Sequence, residues 1–190
     1  KRIKESGGII FMDSGAFSAA NAGANVNIDE YSRFLLDYNI DIYVSLDVIG
    51  NAEKTFENWK YQNETYGLNC IPTFHMREPF EWLEKYMDAG CQYIALGGMV
   101  GSDGVDEWLV RCFKLILNKN KNVTIHGFGM TIADLIYKFP WYSFDSSSFK
   151  SGKRFGTIPQ FSVSRITSIS DKLYKYNYHK QYPEDDVFNN

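Results

Sequence analysis

The chain has 190 residues, 44% hydrophobic and 23% charged, with a formal net charge of −3; this suits one domain of ordinary size, or a piece of one larger barrel. It contains no apolar run of about 18 residues, no signal-peptide pattern, no low-complexity tract and no repeat, which sets aside membrane-spanning helices and fibrous or solenoid architectures. Cys70, Cys91 and Cys112 are too widely spaced for a disulfide framework or a zinc knuckle and read as buried free thiols of an intracellular protein.

In chain order, short apolar runs predict strands over Gly8–Asp13, Asp41–Asp47, Cys70–His75, Tyr93–Gly98, Val123–Gly127 and Ser143–Asp145. Helical patterns alternate with them. Asn27-Ile28-Asp29-Glu30 reads as a cap leading into Tyr31–Asn39, and Ala52–Tyr66 ends at Gly67. Pro79–Ala89 opens on proline and stops at Gly90, Asp103–Leu117 carries one apolar side, and Thr131–Phe139 opens on a threonine cap and ends before Pro140. A last helix is expected from near Ser164. Strict alternation of strand and helix predicts a parallel sheet with right-handed crossovers, in a (β/α)8 barrel or a doubly wound sheet. Polar or backbone-exposing residues end all six strands. That favours the barrel, whose strand ends converge on one mouth. No GxGxxG follows the first strand and no P-loop lysine is present, so no nucleotide-cofactor site is supported.

The charge is uneven. Residues 1–149 hold 13 basic and 19 acidic side chains, whereas residues 150–180 hold seven basic ones and a single acid, Asp171. Aromatic residues from Phe149 to Tyr178 lie among these basic residues. Such a segment tracks phosphates and stacks on bases, or forms an ordinary solvated helix.

At the strand ends, Asp13 follows Ile9-Ile10-Phe11-Met12, and Asp145 follows Ser143-Phe144. Two carboxylates facing one another across a mouth can supply a nucleophile and a general acid/base at an anomeric carbon. Either is equally a turn or cap aspartate. Asp47 could accept two donors from a guanine-type base, and His75 could bond to a base carbonyl, unless both are structural. Gly97-Gly98 offers backbone N–H groups and close approach to a flat ligand, or simply a tight turn. His126-Gly127 opens a small-residue loop, where His126 is as well a core residue.

Taken in order, Asp13-Ser14-Gly15-Ala16-Phe17, Leu46-Asp47, Tyr93-Ile94-Ala95-Leu96-Gly97-Gly98-Met99, Gly127-Phe128-Gly129 and Phe144-Asp145 resemble the motif series of the tRNA-guanine transglycosylases, over about Gly8 to Gly156. Asp145-Ser146-Ser147-Ser148-Phe149 with Arg154-Phe155-Gly156, and His75 after Ile71-Pro72-Thr73-Phe74, are closer to the virus-associated branch of deoxypurine-in-DNA protein A, which exchanges guanine in DNA for a 7-deazaguanine. The resemblance implies a (β/α)8 barrel with Asp145 as the nucleophile that forms a covalent glycosyl intermediate and Asp13 as the general acid/base. Ser14, Gly15, Asp47, His75, Gly97, Gly98, His126 and Gly127 would bind substrate, and Lys150, Lys153 and Arg154 would contact the nucleic-acid backbone.

It further implies DNA, or alternatively tRNA, and a free 7-deazaguanine as partners, with a homo-oligomer or accessory protein as further possibilities. Placement would be cytoplasmic, in the host cytoplasm for a viral protein. The structural zinc of the tRNA enzymes is not expected, because no cysteine follows Cys112; neither zinc nor another cofactor is therefore implied. The Asp-Ser-Gly motif belongs on the third barrel strand of the family, so the chain is expected to supply strands three to eight, with Lys1 marking a cut or missing beginning. The expected division is a barrel over residues 1–163 and a basic helix with a frayed tail over 164–190. A non-catalytic nucleic-acid-binding or accessory barrel subunit, and a glycoside hydrolase using the same carboxylates, are the alternatives.

Overall fold

A computed structural model describes residues 6–130, 132–146, 158–161 and 166–169. Its strands are β1 (Phe11–Met12), β2 (Ile42–Tyr43), β3 (Thr73–His75), β4 (Tyr93–Gly97), β5 (Thr124–Gly127), β6 (Ser143–Phe144), β7 (Ile158–Phe161) and β8 (Ile166–Ile169). The helices are α1 (Ala16–Asn21), α2 (Ile28–Asp37), α3 (Ala52–Tyr66), α4 (Glu81–Asp88), α5 (Val105–Lys119) and α6 (Ala133–Lys138).

The first six strands are parallel and run in chain order. β1 pairs with β2, and β3 to β6 form one continuous ladder. A parallel bridge between Val44 and Ile71 joins the two groups, with Ser45 N–H donating to Ile71 O and Ile71 N–H to Tyr43 O. Helices connect every successive pair of these strands, as a parallel order requires. The chain is therefore an α/β protein with a parallel sheet, as its alternating pattern predicts.

Side chains sort into two layers. Phe74, Ile94, Leu96 and Ile125 point to the helix side, where they meet Leu35 of α2, Trp59 of α3, Leu83 and Tyr86 of α4, and Leu109, Cys112 and Ile116 of α5. The helix residues recur at three- and four-residue spacing, which lays one apolar stripe of each helix on the sheet. The other face carries a second cluster of Val44, Ile71 and Ala95, with Phe11, Ile42, Tyr93 and Phe128 packed against it.

The sheet curls around this second face. Four strand spacings separate β1 from β5, roughly 19 Å in a flat sheet. Yet the Phe11 ring of β1 stacks on His126 of β5 at 4.5 Å between centroids. Among the described residues, β1 and β6 are each paired on one side only, so the curl stays open between them.

Several predicted boundaries move inward by one to three residues. Helix α5 begins at Val105 rather than Asp103, because Gly104 (φ 72°) turns the chain just before it. Helix α4 begins at Glu81 rather than Pro79, whose carbonyl closes a tighter turn with Trp82 N–H. The threonine cap expected at position 131 lies outside the described residues, and α6 begins at Ala133. Helix α1 was not anticipated from the sequence.

A larger correction concerns the expected helix from Ser164. Ile166–Ile169 is a strand, antiparallel to Ile158–Phe161, with Phe161 opposite Ile166 and Ile158 opposite Ile169. Ile166, Thr167 and Ile169 are β-branched, and Ile158 and Phe161 of the partner run also favour strand, while Pro159 disfavours a helix interior there. The expected boundary at residue 163 thus falls between two paired strands. The tail beyond residue 169 lies outside the described residues. Among the described residues, no helix is long and apolar enough to cross a membrane.

Candidate active site

The two-residue period of a strand decides which groups meet at the C-terminal end of the sheet. Phe11, Ala95 and His126 face the curled side, so positions two further on, Asp13, Gly97 and Phe128, follow on the same face at the strand ends. His75 sits beside Gly97 in register, and Asp145 is two residues beyond Ser143, which bonds to His126. Asp13, His75, Gly97, His126 and Asp145 are thereby gathered at one end of one face.

Asp47 is held from three directions. Helix α3 pins the backbone around it: Gln62 Oε1 accepts from Leu46 N–H at 2.8 Å, Asn58 Nδ2 donates to Leu46 O at 3.0 Å, and Thr55 Oγ1 accepts from Val48 N–H at 2.9 Å. Ser14 Oγ donates to Asp47 Oδ1 at 2.7 Å, and His75 Nε2 lies 3.1 Å from Oδ2. Across the imidazole, Nδ1 is 3.4 Å from Glu78 Oε1, an ion-pair contact without hydrogen-bond alignment. The other Glu78 oxygen accepts from His75 N–H at 2.9 Å.

Burial disfavours charge on each of these side chains, but the pairing outweighs it. His75 is raised to about 9 by its two carboxylate neighbours, and Asp47 is held below the usual range by the bonds from His75 and Ser14. At neutral pH this is a carboxylate–imidazolium–carboxylate row. Gly97 packs closely beside it. A β-carbon there would meet the His75 ring at 3.1 Å and the Thr73 methyl at 3.2 Å.

Asp13 lies on the opposite side of the balance. Burial raises its carboxyl, the charges of Asp47 and Asp145 raise it further, and the Ser14 and Gly15 backbone N–H groups only partly offset this. Asp145 is the exposed member, with 56% of its side chain accessible. Its Oδ1 accepts from Gly129 N–H at 2.7 Å and lies 3.9 Å from His126 Nε2. His126 is almost fully buried, and burial lowers it in spite of the Asp145 charge. Asp47 and Asp145 thus both act on Asp13 from other strand ends, and Asp13 and Asp47 are shifted in opposite directions.

The chain matches no family model, no curated protein and no solved structure with which it was compared.

Geometry alone therefore places the remaining expected residues. Ser14 and His75 are both engaged with Asp47. Gly15 (φ 71°) makes the turn into α1. Gly98 (φ 76°) approaches Met76 N, to which a β-carbon would come within 3.2 Å. Gly127 faces the helix side, where an added β-carbon would stand 2.9 Å from the Trp141 ring, and its carbonyl accepts from Asp145 N–H. Lys150, Lys153 and Arg154 lie outside the described residues.

Glu78, Gly129, Tyr93 and Ser143 were not anticipated. A carboxylate three residues beyond His75 in a turn was the only sequence signal for Glu78. A hollow of about 360 Å³ opens beside Asp47, bordered by Ala16, Asn25, Val48 and Asn58. A larger one, about 770 Å³, lies at the opposite end of the strands among Asp41, Cys70, Cys91 and Tyr93, away from the carboxylates. Among the described residues, no cluster of His, Cys, Asp and Glu has the makings of a metal site.

Proposed function

We propose that this chain is a base-exchange transglycosylase, built on part of a (β/α)8-type barrel, that replaces guanine in DNA with a 7-deazaguanine. A target base inside a duplex is first extruded from the stack. Asp145 attacks C1′ of the flipped nucleotide, a C1′–O bond forms and the C1′–N9 bond breaks. The departing guanine takes a proton from Asp13. A 7-deazaguanine such as 7-cyano-7-deazaguanine then enters. Its N9–H gives the proton back to Asp13 while N9 attacks C1′ and expels the Asp145 carboxylate, so protons and electron pairs balance over the cycle. Asp47 accepts from the N1–H and exocyclic amine of either base, which explains the value of holding it ionised.

The observation that carries this reading is the contrast between Asp13 and Asp145. Asp13 is desolvated and raised by two neighbouring carboxylates, as an acid/base needs, whereas Asp145 is open to solvent, as an attacking group needs. Gathering both with an ionised Asp47 at one sheet end suits a purine nucleotide better than a sugar polymer. The test is exchange of radiolabelled guanine into a guanine-containing duplex and into tRNA, with denaturing-gel trapping of a covalent adduct. Asp145→Ala is expected to abolish both exchange and adduct, and Asp13→Asn to leave adduct formation strongly slowed. Undiminished exchange in Asp145→Ala refutes the assignment. DNA binding by a wild-type protein that exchanges nothing favours the accessory-subunit alternative, and exchange confined to tRNA moves the substrate to RNA.

A further inference from the structure

A chain of polar groups crosses the inner face beneath Asp145. Tyr93 OH of β4 lies 2.6 Å from Ser143 Oγ of β6, and Ser143 Oγ lies 2.7 Å from His126 Nδ1 of β5. His126 Nε2 then faces Asp145 Oδ1 at 3.9 Å, and among the described residues it has no hydrogen-bond partner. The imidazole is held in plane by Phe11, stacked at 4.5 Å, and by the edge contact of Phe128 at 4.6 Å. Buried polar atoms are normally satisfied, so an unpartnered nitrogen aimed at a carboxylate calls for an explanation.

Hydrogen counting gives one. A neutral imidazole has one N–H and one lone pair. Were the proton on Nδ1, the Nε2 lone pair would face the Asp145 carboxylate, lone pair against anion. Only the other tautomer is consistent along the whole row. Tyr93 O–H donates to Ser143 Oγ, Ser143 O–H donates to His126 Nδ1, and Nε2–H points at Asp145. Each group donates once and none is left competing. Tyr93 also borders the large hollow at the far end of the strands, so the row begins on an open side and ends at the mouth.

We infer that His126 is a positioning residue for Asp145 rather than a substrate ligand, with Ser143 and Tyr93 fixing its tautomer. This rests on the transglycosylase reading for its catalytic consequence but not for its geometry. Among the described residues, both side-chain contacts of Asp145, from Gly129 N–H and towards His126 Nε2, fall on Oδ1. An oxygen anchored in this way fixes the carboxylate plane and presents Oδ2 as the attacking atom. The 3.9 Å separation is long for a hydrogen bond and shortens once Asp145 rotates onto C1′, as catalytic contacts commonly tighten in the reacting complex.

The experiment has two independent arms on the full chain. In the first, ¹⁵N-histidine labelling reads the tautomer. The His126 signals are assigned by their loss in His126→Phe, which keeps a ring between Phe11 and Phe128. The wild type is expected to show a neutral ring at pH 7 with its proton on Nε2, and Ser143→Ala to show a mixture of tautomers. An Nδ1–H tautomer or an imidazolium in the wild type overturns the inference.

In the second arm, Ser143→Ala and Tyr93→Phe are expected to lower kcat for guanine exchange by about tenfold, with KM changed less than about twofold, since an orienting group acts on the reacting geometry rather than on binding. His126→Gln, which returns an amide N–H near the Nε2 position, should retain more activity than His126→Phe. Unchanged kcat in Ser143→Ala, in a preparation whose wild type exchanges guanine, overturns it. A wild type that exchanges nothing refutes the transglycosylase reading alone, and the tautomer measurement still decides the arrangement around His126.

Discussion

Replacing His75 by glutamine keeps a neutral N–H donor near Asp47 but removes the positive charge between two carboxylates, so it isolates the electrostatic contribution of the imidazolium. The native ring titrates at about 9, against 6.5 for an unperturbed histidine. At 1.36 kcal/mol per unit, that difference corresponds to about 3 kcal/mol of folding free energy. The sign follows from the direction. A group raised on folding stabilises fully below its unfolded value, here below about pH 6.5, and loses that contribution as pH rises through about 9. Asp47 is shifted the other way, so its contribution is present above its ordinary carboxylate range and fades as pH falls below it.

The His75–Asp47 pair therefore stays charged in the folded protein up to about pH 9, and its contribution to stability is fullest between roughly pH 5 and 6.5. Urea unfolding of wild type and His75→Gln at pH 6, 8 and 10 is expected to give a gap of about 3 kcal/mol at pH 6, narrowing to under about 1 kcal/mol at pH 10. Comparison at matched pH cancels the titration of groups that do not interact with position 75. A gap of the same size at pH 6 and pH 10, or an NMR titration that places His75 below 7, would show that the two carboxylates do not hold the ring charged.

Gln62→Leu removes the acceptor of Leu46 N–H and the donor to Ser32 Oγ in a fully buried position, and is expected to cost about 1–3 kcal/mol in urea unfolding. Because Leu46 precedes Asp47, the same variant should also raise KM for the free base. Gly127→Ala forces a methyl into the Trp141 ring and is expected to lower stability by about 1–3 kcal/mol, with a shift in tryptophan fluorescence. Asn51→Ala removes the side chain that caps Lys54 N–H at 2.9 Å and should cost about 1 kcal/mol in urea unfolding.

The fold class was legible because alternation of strand and helix is a local property. Apolar runs ending in Asp13, His75 and Asp145 each state their own face and their own end. Boundaries were less legible because they depend on single turns. Gly104 shortens α5 at its start, and the carbonyl of Pro79 diverts the chain before α4. The helix expected from Ser164 failed for a different reason. A basic, aromatic-rich segment reads as a solvated helix, but the partner that makes Ile166–Ile169 a strand is Ile158–Phe161, and pairing is not visible in either segment alone. At the site, the sequence named Asp13, Asp47 and Asp145 with Ser14, His75 and His126, but not the groups that orient the two histidines. Glu78, Ser143 and Tyr93 are ordinary residues in sequence. They acquire meaning only when parallel register sets His126 beside Ser143 and when the turn after β3 folds Glu78 back onto the His75 ring.

The two described histidines show how far environment overrides residue type. His75 and His126 both project from strand ends toward aspartates thought to serve one reaction. His75 stands between carboxylates at 3.1 and 3.4 Å, and charge is favoured strongly enough to overcome burial. His126 stands between two phenylalanine rings and a serine hydroxyl, with its one carboxylate at 3.9 Å, and burial wins. The consequence falls on the aspartates. Asp47 faces a fixed cation and keeps its charge without drawing a proton from its surroundings. Asp145 faces only a neutral N–H, so its negative charge is directed but not neutralised. A full ion pair at Asp145 would lower its nucleophilicity, and a neutral partner at Asp47 would let that buried carboxylate take up a proton and lose its ability to accept twice from a guanine edge. On the transglycosylase reading proposed above, the opposite protonation of two like residues would let one aspartate recognise a base and another attack within a single sheet end.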